Sequence, residues 1–241
     1  MARTPLKKRL QRLGRSAGVD VRRWIPEDAL QTHEHRRDLI LAAQGISLVL
    51  DVGANEGQYG RWLRENGYTG RIASFEPLSA PFARLSAAAA GDPDWTCVQT
   101  ALGASAGTAS MNVAANREMS SSMLNWGDES ASEFVGTEEV EQTTLDDAAR
   151  VLVRADDVVA LKLDVQGYEH EVMRGATETL ARARVLEIEL ALRPLYQGQL
   201  DYREMLDRLT GQGFELVAVD PGYTDWDTGV TYEIDAILLR R

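Results

Sequence analysis

Seven short apolar runs, each too short to be a helix, recur along this chain. They lie at 46–50, 71–75, 95–99, 158–163, 185–190, 214–219 and 234–239. Segments of helical periodicity separate most of them, at 57–66, 78–90, 168–182 and 201–212. Strands that alternate with helices of this length predict an α/β fold, with a mostly parallel seven-stranded sheet and helices on both faces.

One stretch interrupts this alternation. Residues 103–143 are rich in small, polar and acidic side chains, and we expect an inserted hairpin around 108–114 with loops on the substrate side of the sheet. A helix is predicted at 27–44, ahead of the first strand. The sequence therefore predicts an N-terminal helical segment over 1–45 and one domain over 46–241, a size that a single α/β core can fill.

Charge is distributed unevenly along the chain. Residues 1–23 hold eight of its 26 basic residues and one of its 37 acidic residues, which leaves the remainder with a net charge near −18. Such an acidic body argues against nucleic acid as the main partner, because phosphate binding requires clustered positive charge. The basic segment could fold back on the acidic body, or it could make a peripheral contact with an anionic membrane or a lipid-linked substrate.

The cysteine content and the character of the N-terminus indicate the cellular compartment. Cys97 is the single cysteine and cannot form an internal disulfide. The basic N-terminus is not followed by the apolar core of a secretory signal, and no run is long enough to cross a membrane. These features predict a cytoplasmic protein.

The most informative loop is Asp51-Val-Gly-Ala-Asn-Glu-Gly-Gln-Tyr59, which follows a buried strand and opens a helix. Gly53 permits a tight turn, and Gly57 permits close approach of a ligand or of a packed helix. A nicotinamide-dependent oxidoreductase would show G-x-G-x-x-G here. Asp51 and Glu56 would repel a pyrophosphate, whereas an acidic strand end suits a ligand that bears an ammonium group.

A second carboxylate follows the next predicted strand. Glu76 comes 25 residues after Asp51, and Pro77 ends the strand. A carboxylate in this position can accept hydrogen bonds from both ribose hydroxyls of a bound nucleoside. The alternative is an exposed glutamate in a turn.

At this point the chain resembles the FkbM family of S-adenosylmethionine-dependent O-methyltransferases. The matching segments are DVGANEGQYGRWLRENGY (51–68), SFEPLSAPFARL (74–85), TALG (100–103), SSSML (120–124), TLDD (144–147), LKLDVQGYEHEVMRGA (161–176) and ELALRPLYQGQ (189–199). The resemblance implies a Rossmann-like class I methyltransferase fold with S-adenosylmethionine as cofactor. The candidate donor-site residues are Asp51, Gly53, Ala54, Asn55, Gly57, Tyr59, Glu76 and Ala101, with Glu76 on the ribose and Ala101 near the adenine.

Ionisable residues also mark the ends of two later strands. Lys162 shares a strand face with Asp164, and Glu187 shares one with Glu189. In one interpretation they form a buried ion-pair network in which Lys162 pairs with a glutamate. In the other, Asp164 and Glu189 are catalytic and orient and deprotonate an acceptor hydroxyl. These two carboxylates could also hold a divalent cation such as magnesium, but no third ligand is evident, so the metal stays open.

The resemblance implies transfer of a methyl group to a hydroxyl. We expect the acceptor to be a sugar of a glycolipid or glycoside, with a polyketide or another secondary metabolite as the alternative. A nicotinamide-dependent oxidoreductase and a non-catalytic binding protein are the remaining possibilities. The sequence leaves the oligomeric state open.

Overall fold

The computed structural model describes residues 32–116, 118–127 and 133–241. Its main sheet consists of β1 (Leu48–Val52), β2 (Arg71–Phe75), β3 (Trp95–Val98), β7 (Val159–Leu163), β8 (Ala183–Ala191), β9 (Phe214–Pro221) and β10 (Glu233–Arg240). The strand order is β3-β2-β1-β7-β8-β10-β9. Only β10 runs antiparallel to its neighbours among these seven strands. The predicted mostly parallel, seven-stranded α/β fold is confirmed.

Helices cover both faces of this sheet. They are α1 (His33–Ala43), α2 (Gln58–Glu65), α3 (Ser79–Ala89), α4 (Leu145–Leu152), α5 (Glu169–Arg174), α6 (Thr177–Arg182) and α7 (Tyr202–Gly211). Successive residues of β1 point to opposite faces, so Leu50 packs in one core layer and Val49 in the other. Leu63 and Leu85 of α2 and α3 complete the layer around Val49. A strand buried on both faces must be apolar throughout, which explains the short apolar runs.

The single helix predicted at 168–182 is two helices, α5 and α6, that meet at Gly175. A Cβ on Gly175 would lie 2.1 Å from the carbonyl oxygen of Gly103, so the chain bends where only glycine fits. Asp146 then caps the new helix, accepting hydrogen bonds from the amides of Glu178 and Thr179 at 3.0 and 2.8 Å. The helical period continues across the break, and sequence periodicity alone therefore missed it.

A second, three-stranded sheet lies beside the main one. It is formed by β4 (Ala101–Leu102), β5 (Gly107–Ala114) and β6 (Phe134–Thr143), in the order β4-β6-β5. β5 lies where a hairpin strand was predicted. Its antiparallel partner β6 was expected to be loop, because its many exposed acidic side chains conceal the strand period.

The described residues include only part of the predicted N-terminal helical segment. The basic segment 1–23 and the first part of the helix predicted at 27–44 lie outside the described residues, and α1 begins at His33. Within the described part of the chain, no helix has the length and apolar character needed to cross a bilayer.

Strand register brings the ionisable residues to one edge of the main sheet. Lys162 lies beside Asp51 on one side and beside Glu187 on the other. Because β10 is antiparallel, it begins at the edge where the parallel strands end, and its Asp235 pairs with Glu189. The carboxyl edge of the sheet therefore collects ionisable residues from four strands.

Candidate active site

A cavity of about 660 Å³ opens above this carboxyl edge. Gly53, Glu76 and Ala101 line one half of it, and Asp164, Glu189 and Glu233 line the other. Ligands of open α/β sheets bind in this position, and the volume is that of a typical small-molecule pocket. The residues predicted for donor and acceptor thus share one cavity.

The loop after β1 approaches β7 closely at Gly53. Gly53 has φ +79°, and a Cβ at this position would lie 1.8 Å from the carbonyl oxygen of Asp164. No other residue fits between the two backbones. The loop that was predicted to bind the donor therefore lies directly against the residue that was predicted to act on the acceptor.

Glu76 is held by backbone amides at the end of β2. Its two oxygens accept hydrogen bonds from the amides of Asn55 and Leu78, both at 2.9 Å. Burial raises the pKa of Glu76 to about 7. A carboxylate offers about four lone-pair sites, so each oxygen can still accept a ligand hydroxyl. The exposed turn considered as the alternative is excluded, because Glu76 is 5% exposed.

An apolar slot adjoins Glu76. Leu78 and Ala101 form a buried cluster with Val140, against which Met111 and Met123 pack, and four of these five residues line the cavity. A carboxylate beside an apolar slot fits a nucleoside, whose ribose hydroxyls donate hydrogen bonds while its base requires an apolar surface. The residues present therefore fit the donor predicted from the sequence.

Two of the predicted donor-site residues lie beneath the cavity wall rather than on it. Asp51 is fully buried, accepts a hydrogen bond from the Ser74 hydroxyl at 2.9 Å, and lies 3.4 Å from the Lys162 ammonium. Gly57 faces Leu85, so it permits helix packing. Neither residue lines the cavity, and at Gly57 the contact favours the helix-packing alternative over close approach of a ligand. Asp51 can act on a ligand through Lys162, which does line the cavity.

Tyr59, Ala54 and Asn55 line the cavity as predicted, and Tyr59 connects it to a buried ion cluster. The Tyr59 hydroxyl donates to Glu187 at 2.6 Å, and His33 and Arg37 of α1 contact the same carboxylate at 2.8 and 3.3 Å. Burial acts to raise the pKa of Glu187, but Arg37, His33 and Tyr59 together lower it to about 2. No sequence motif surrounds His33, so its role could not be predicted.

Lys162 pairs with two aspartates instead of the expected glutamate. Its ammonium lies 3.4 Å from Asp51 and 3.3 Å from Asp164, and it donates to the Gly53 carbonyl at 3.1 Å. Although burial acts to lower it, Asp164 and Asp51 raise the pKa of Lys162 above its usual range. Lys162 therefore remains charged and ties the donor loop to the acceptor side.

Gln166, which the sequence analysis did not single out, connects the two predicted catalytic carboxylates. Its amide nitrogen donates to Asp164 at 2.9 Å and to Glu189 at 3.0 Å. Its amide oxygen accepts from the Tyr196 hydroxyl at 2.9 Å. Asp164 and Glu189 are therefore brought together, as expected, and a single amide fixes their positions.

Two further buried carboxylates were missed. Glu169 accepts hydrogen bonds from the amides of Val165 and Gly167, and burial raises its pKa to about 7. Glu233 is the first residue of β10. A charged residue at the start of an apolar run is the sequence feature that could have identified it. Burial, with Glu169 and Asp164 nearby, raises the pKa of Glu233 to about 8.

Aromatic rings form one wall of the acceptor half. The rings of Phe134, Trp126 and Tyr196 stack in series, with centroids 4.8 and 4.5 Å apart. Trp126, Tyr196 and the half-exposed Tyr223 line the cavity. Phe134 and Tyr196 cover the two faces of Trp126, so the half-exposed Tyr223 is the ring in this group that can present a face to a sugar or a flat ring.

No group of three or more His, Cys, Asp and Glu side chains among the described residues is arranged to hold a metal ion. Neither Glu169 nor Glu233 supplies the third metal ligand that the sequence left open.

Comparison with known proteins identifies one family. The methyltransferase FkbM domain matches residues 51–216, more than half of the chain. The 2-O-methyltransferase NoeI of Sinorhizobium fredii (strain NBRC 101917 / NGR234) is 37% identical over 94 residues, which are 39% of this chain. The match spans 37% of that relative's length.

Solved structures are similar in fold at low sequence identity. The fibrillarin/Nop5p complex matches with a TM-score of 0.50 and 13% identity, over 88% of this chain and 83% of that chain. Magnesium protoporphyrin IX methyltransferase from Synechocystis PCC 6803, with bound S-adenosylmethionine, has a TM-score of 0.49 and 14% identity over the whole of both chains.

Proposed function

This chain belongs to the FkbM methyltransferase family, and we propose that it transfers the methyl group of S-adenosylmethionine to a hydroxyl oxygen of a sugar in a glycolipid or glycoside. One observation carries the proposal. The backbone of Asp164, the residue predicted to act on the acceptor, lies against the predicted donor loop at Gly53, and both residues line a single cavity.

When bound, S-adenosylmethionine would supply a methyl group on a positively charged sulfur, and this sulfur would leave as the neutral thioether of S-adenosylhomocysteine when an acceptor oxygen takes the methyl group. Glu76 would accept the ribose hydroxyls, and the slot at Leu78 and Ala101 would take the base. The loop at Gly53–Asn55 would hold the amino-acid end, beside Lys162. Each of these groups is positioned by backbone or by buried partners, so little reorganisation is needed on binding.

Asp164 is the better placed of the two candidate bases. Its side chain is 39% exposed, and one of its oxygens lies 3.3 Å from the Lys162 ammonium. An acceptor hydroxyl bound there can transfer its proton to Asp164 as its oxygen takes up the methyl group. Burial and the neighbouring Asp164 and Glu233 raise the pKa of Glu189 well above its usual value. Glu189 is therefore suited to donate a hydrogen bond that orients the acceptor.

Two observations support a sugar acceptor. The cavity lining combines carboxylates with aromatic rings, a combination typical of surfaces that hold polyhydroxylated rings. Trp126 and Tyr196 provide an apolar wall, and Gln166, Glu189 and Glu233 provide the polar groups. The relative NoeI is a 2-O-methyltransferase by name.

The test is methyl transfer from labelled S-adenosylmethionine to panels of glycolipid, glycoside and polyketide extracts. We expect a labelled ether in the glycolipid or glycoside fraction. Label in the polyketide fraction alone would refute the sugar assignment, and no transfer to any fraction would refute the proposed activity. Chelator followed by magnesium shows whether a metal takes part.

The first prediction concerns Asp164→Asn. Asparagine keeps the shape of the side chain but cannot accept the proton, so turnover should fall about 100- to 10,000-fold. Donor affinity, measured by calorimetry, should change far less. A loss of turnover below tenfold would reduce Asp164 to a structural role.

A further inference from the structure

Glu233 carries an unpaired polar atom in the acceptor half of the cavity. The residue is 3% exposed and lines the cavity. Its Oε1 atom is buried and has no hydrogen-bond partner within the described part of the chain. A buried carboxylate oxygen without a partner is costly, so its place on a cavity wall indicates that a ligand group completes it.

The surroundings of Glu233 are acidic. Burial has the largest effect on its pKa, followed by Glu169 and Asp164, and all three raise it. Burial, Asp164 and Glu233 likewise raise the pKa of Glu189. Crowded carboxylates of this kind would be stabilised by a positive charge placed among them.

The nearby cations are already committed to other partners. Lys162 is held by Asp51, Asp164 and the Gly53 carbonyl, and Arg37 pairs with Glu187. No lysine, arginine or histidine in the described ranges forms an ion pair with Glu189 or Glu233. Among the described residues, therefore, none supplies a positive charge to Glu189 or Glu233, and a cationic group of a ligand in the cavity would do so.

This ligand is distinct from the methyl donor. The strand order puts β10 three strands away from β1, which at the usual spacing of strands is about 14 Å. The donor residues Gly53 and Glu76 follow β1 and β2, whereas Glu233 begins β10. The positive charges of the donor therefore lie on the other side of Asp164.

From these observations we propose that the acceptor is an amino sugar or related amino alcohol, whose protonated amine binds Glu233 while a neighbouring hydroxyl faces Asp164. Glu189 provides the second carboxyl group around the amine. The half-exposed ring of Tyr223 lies along the apolar face of the sugar. This inference rests on the proposed function and specifies its substrate class.

The test compares three substituents at one position of a sugar. Methyl glycosides that carry a hydroxyl, an amine or an acetamide at the 2-, 3-, 4- or 6-position are titrated into the full-length protein saturated with S-adenosylhomocysteine. A charged hydrogen bond in place of a neutral one should make at least one amine bind about tenfold or more tightly than its two counterparts. Glucoside and galactoside series are both used, because the ring stereochemistry is not specified by Glu233.

Two variants identify the group responsible. Glu233→Gln keeps the shape and removes the charge, and it should abolish the preference for the amine. Asp235→Asn makes the same change two residues along β10, at a position that does not line the cavity, and should keep the preference within about threefold. S-Adenosylhomocysteine binding is measured for each variant, so that a folding defect is recognised.

Each outcome decides between the alternatives. An amine preference that Glu233→Gln removes and Asp235→Asn retains supports the inference. The inference is overturned if no amine outbinds its hydroxyl and acetamide counterparts, or if the preference survives in Glu233→Gln. Failure of S-adenosylhomocysteine to bind would instead count against the proposed methyl transfer, so the two failures are distinguishable.

Discussion

At the scale of single residues, Gln166 explains how two carboxylates can remain close together. Its amide nitrogen has two hydrogens, and one goes to each of Asp164 and Glu189. A glutamate at this position would add a further acidic group and could donate at most one hydrogen bond. The amide thus bridges the two carboxyl groups without neutralising Asp164, which accepts a proton in the proposed reaction.

Glu76 permits the second prediction. Replacing it by alanine removes the acceptor of the ribose hydroxyls, and the loss of a charged hydrogen bond should weaken donor affinity about 10- to 150-fold. Calorimetry with S-adenosylhomocysteine measures this. Glu65→Ala, an exposed change on α2, is the control and should leave the affinity unchanged. Equal affinity of the folded Glu76→Ala protein and the wild type would disprove the ribose assignment.

The same residue predicts a pH dependence. The pKa of Glu76 is raised to about 7, and the ionised form is the better acceptor of two hydroxyls. Donor affinity should therefore fall as the pH is lowered through 7. In Glu76→Gln this dependence should be absent, and its persistence there would assign it to another group.

The site residues that could be predicted from the sequence differ physically from those that could not. Asp164 and Glu189 could be predicted because polar residues at the ends of parallel strands must meet at one edge. Gln166 could not, since it has φ +56° and its side chain returns over the strand ends. The burial of Asp51 also could not be predicted, because the position of a residue in a strand determines the face of the sheet to which its side chain points but not how deeply the side chain is buried.

At the scale of elements, α1 is fixed to the sheet by charge as well as by packing. His33 and Arg37 reach Glu187 of β8, and Arg37 also lies over the rings of Tyr59 and Trp62, at 4.4 and 3.9 Å. Arg37 lines the cavity as well. This helix thus forms part of the wall of the donor half.

The third prediction is that Glu187→Gln destabilises the protein by about 3–5 kcal/mol, because it leaves two buried cations without their partner. Denaturant unfolding measures the free energy. Asp220→Asn is the matched control, since Arg36 of α1 pairs with Asp220 of β9 at a more exposed position and should cost less than about 1 kcal/mol. Equal effects of the two variants would contradict the anchoring role of Glu187.

The pH dependence of this effect follows from the pKa directions. Glu187 has a lowered pKa, so its contribution is present above about 4.3, the ordinary value for glutamate, and is lost as the pH falls towards 2. His33 has a raised pKa, so its contribution is complete below its ordinary value of about 6.5 and is lost at higher pH. The difference between wild type and Glu187→Gln should therefore be largest between about pH 4.5 and 6.5.

The number and positions of the strands in the main sheet could be predicted from the sequence, because strands buried on both faces leave a clear apolar signal. The predicted run 71–75 coincides with β2, and the other strands differ by a few residues at their ends. β6 and the break at Gly175 could not be predicted. β6 depends on its pairing with β5, and the break at Gly175 depends on the close approach of Gly103.

At the scale of the whole molecule, the separation of charge is the dominant feature. Residues 1–23 have a net charge of +7, and the remainder is strongly acidic. Each basic residue near an anionic surface contributes about 1 kcal/mol, an effect that salt screens. We propose that this segment helps to capture an anionic or membrane-borne acceptor.

The fourth prediction tests that segment by deletion of residues 1–23. The melting temperature and donor affinity should be nearly unchanged, and co-sedimentation with anionic liposomes at low salt should be lost. Neutral liposomes and high salt are the controls. If the segment instead docks on the acidic body, deletion should lower the melting temperature and liposomes should make no difference. Full-length protein that stays in the supernatant would refute the membrane contact.

The direction of β10 has an evolutionary consequence. Because the strand is antiparallel, the chain crosses the acceptor side as a hairpin over 222–232, and Tyr223 of that hairpin lines the cavity. A hairpin can lengthen, shorten or be exchanged at little cost to stability, whereas a parallel crossover would carry a core helix with it. Relatives of this enzyme can therefore diversify in acceptor by replacing one surface loop, while selection on the donor half stays undisturbed.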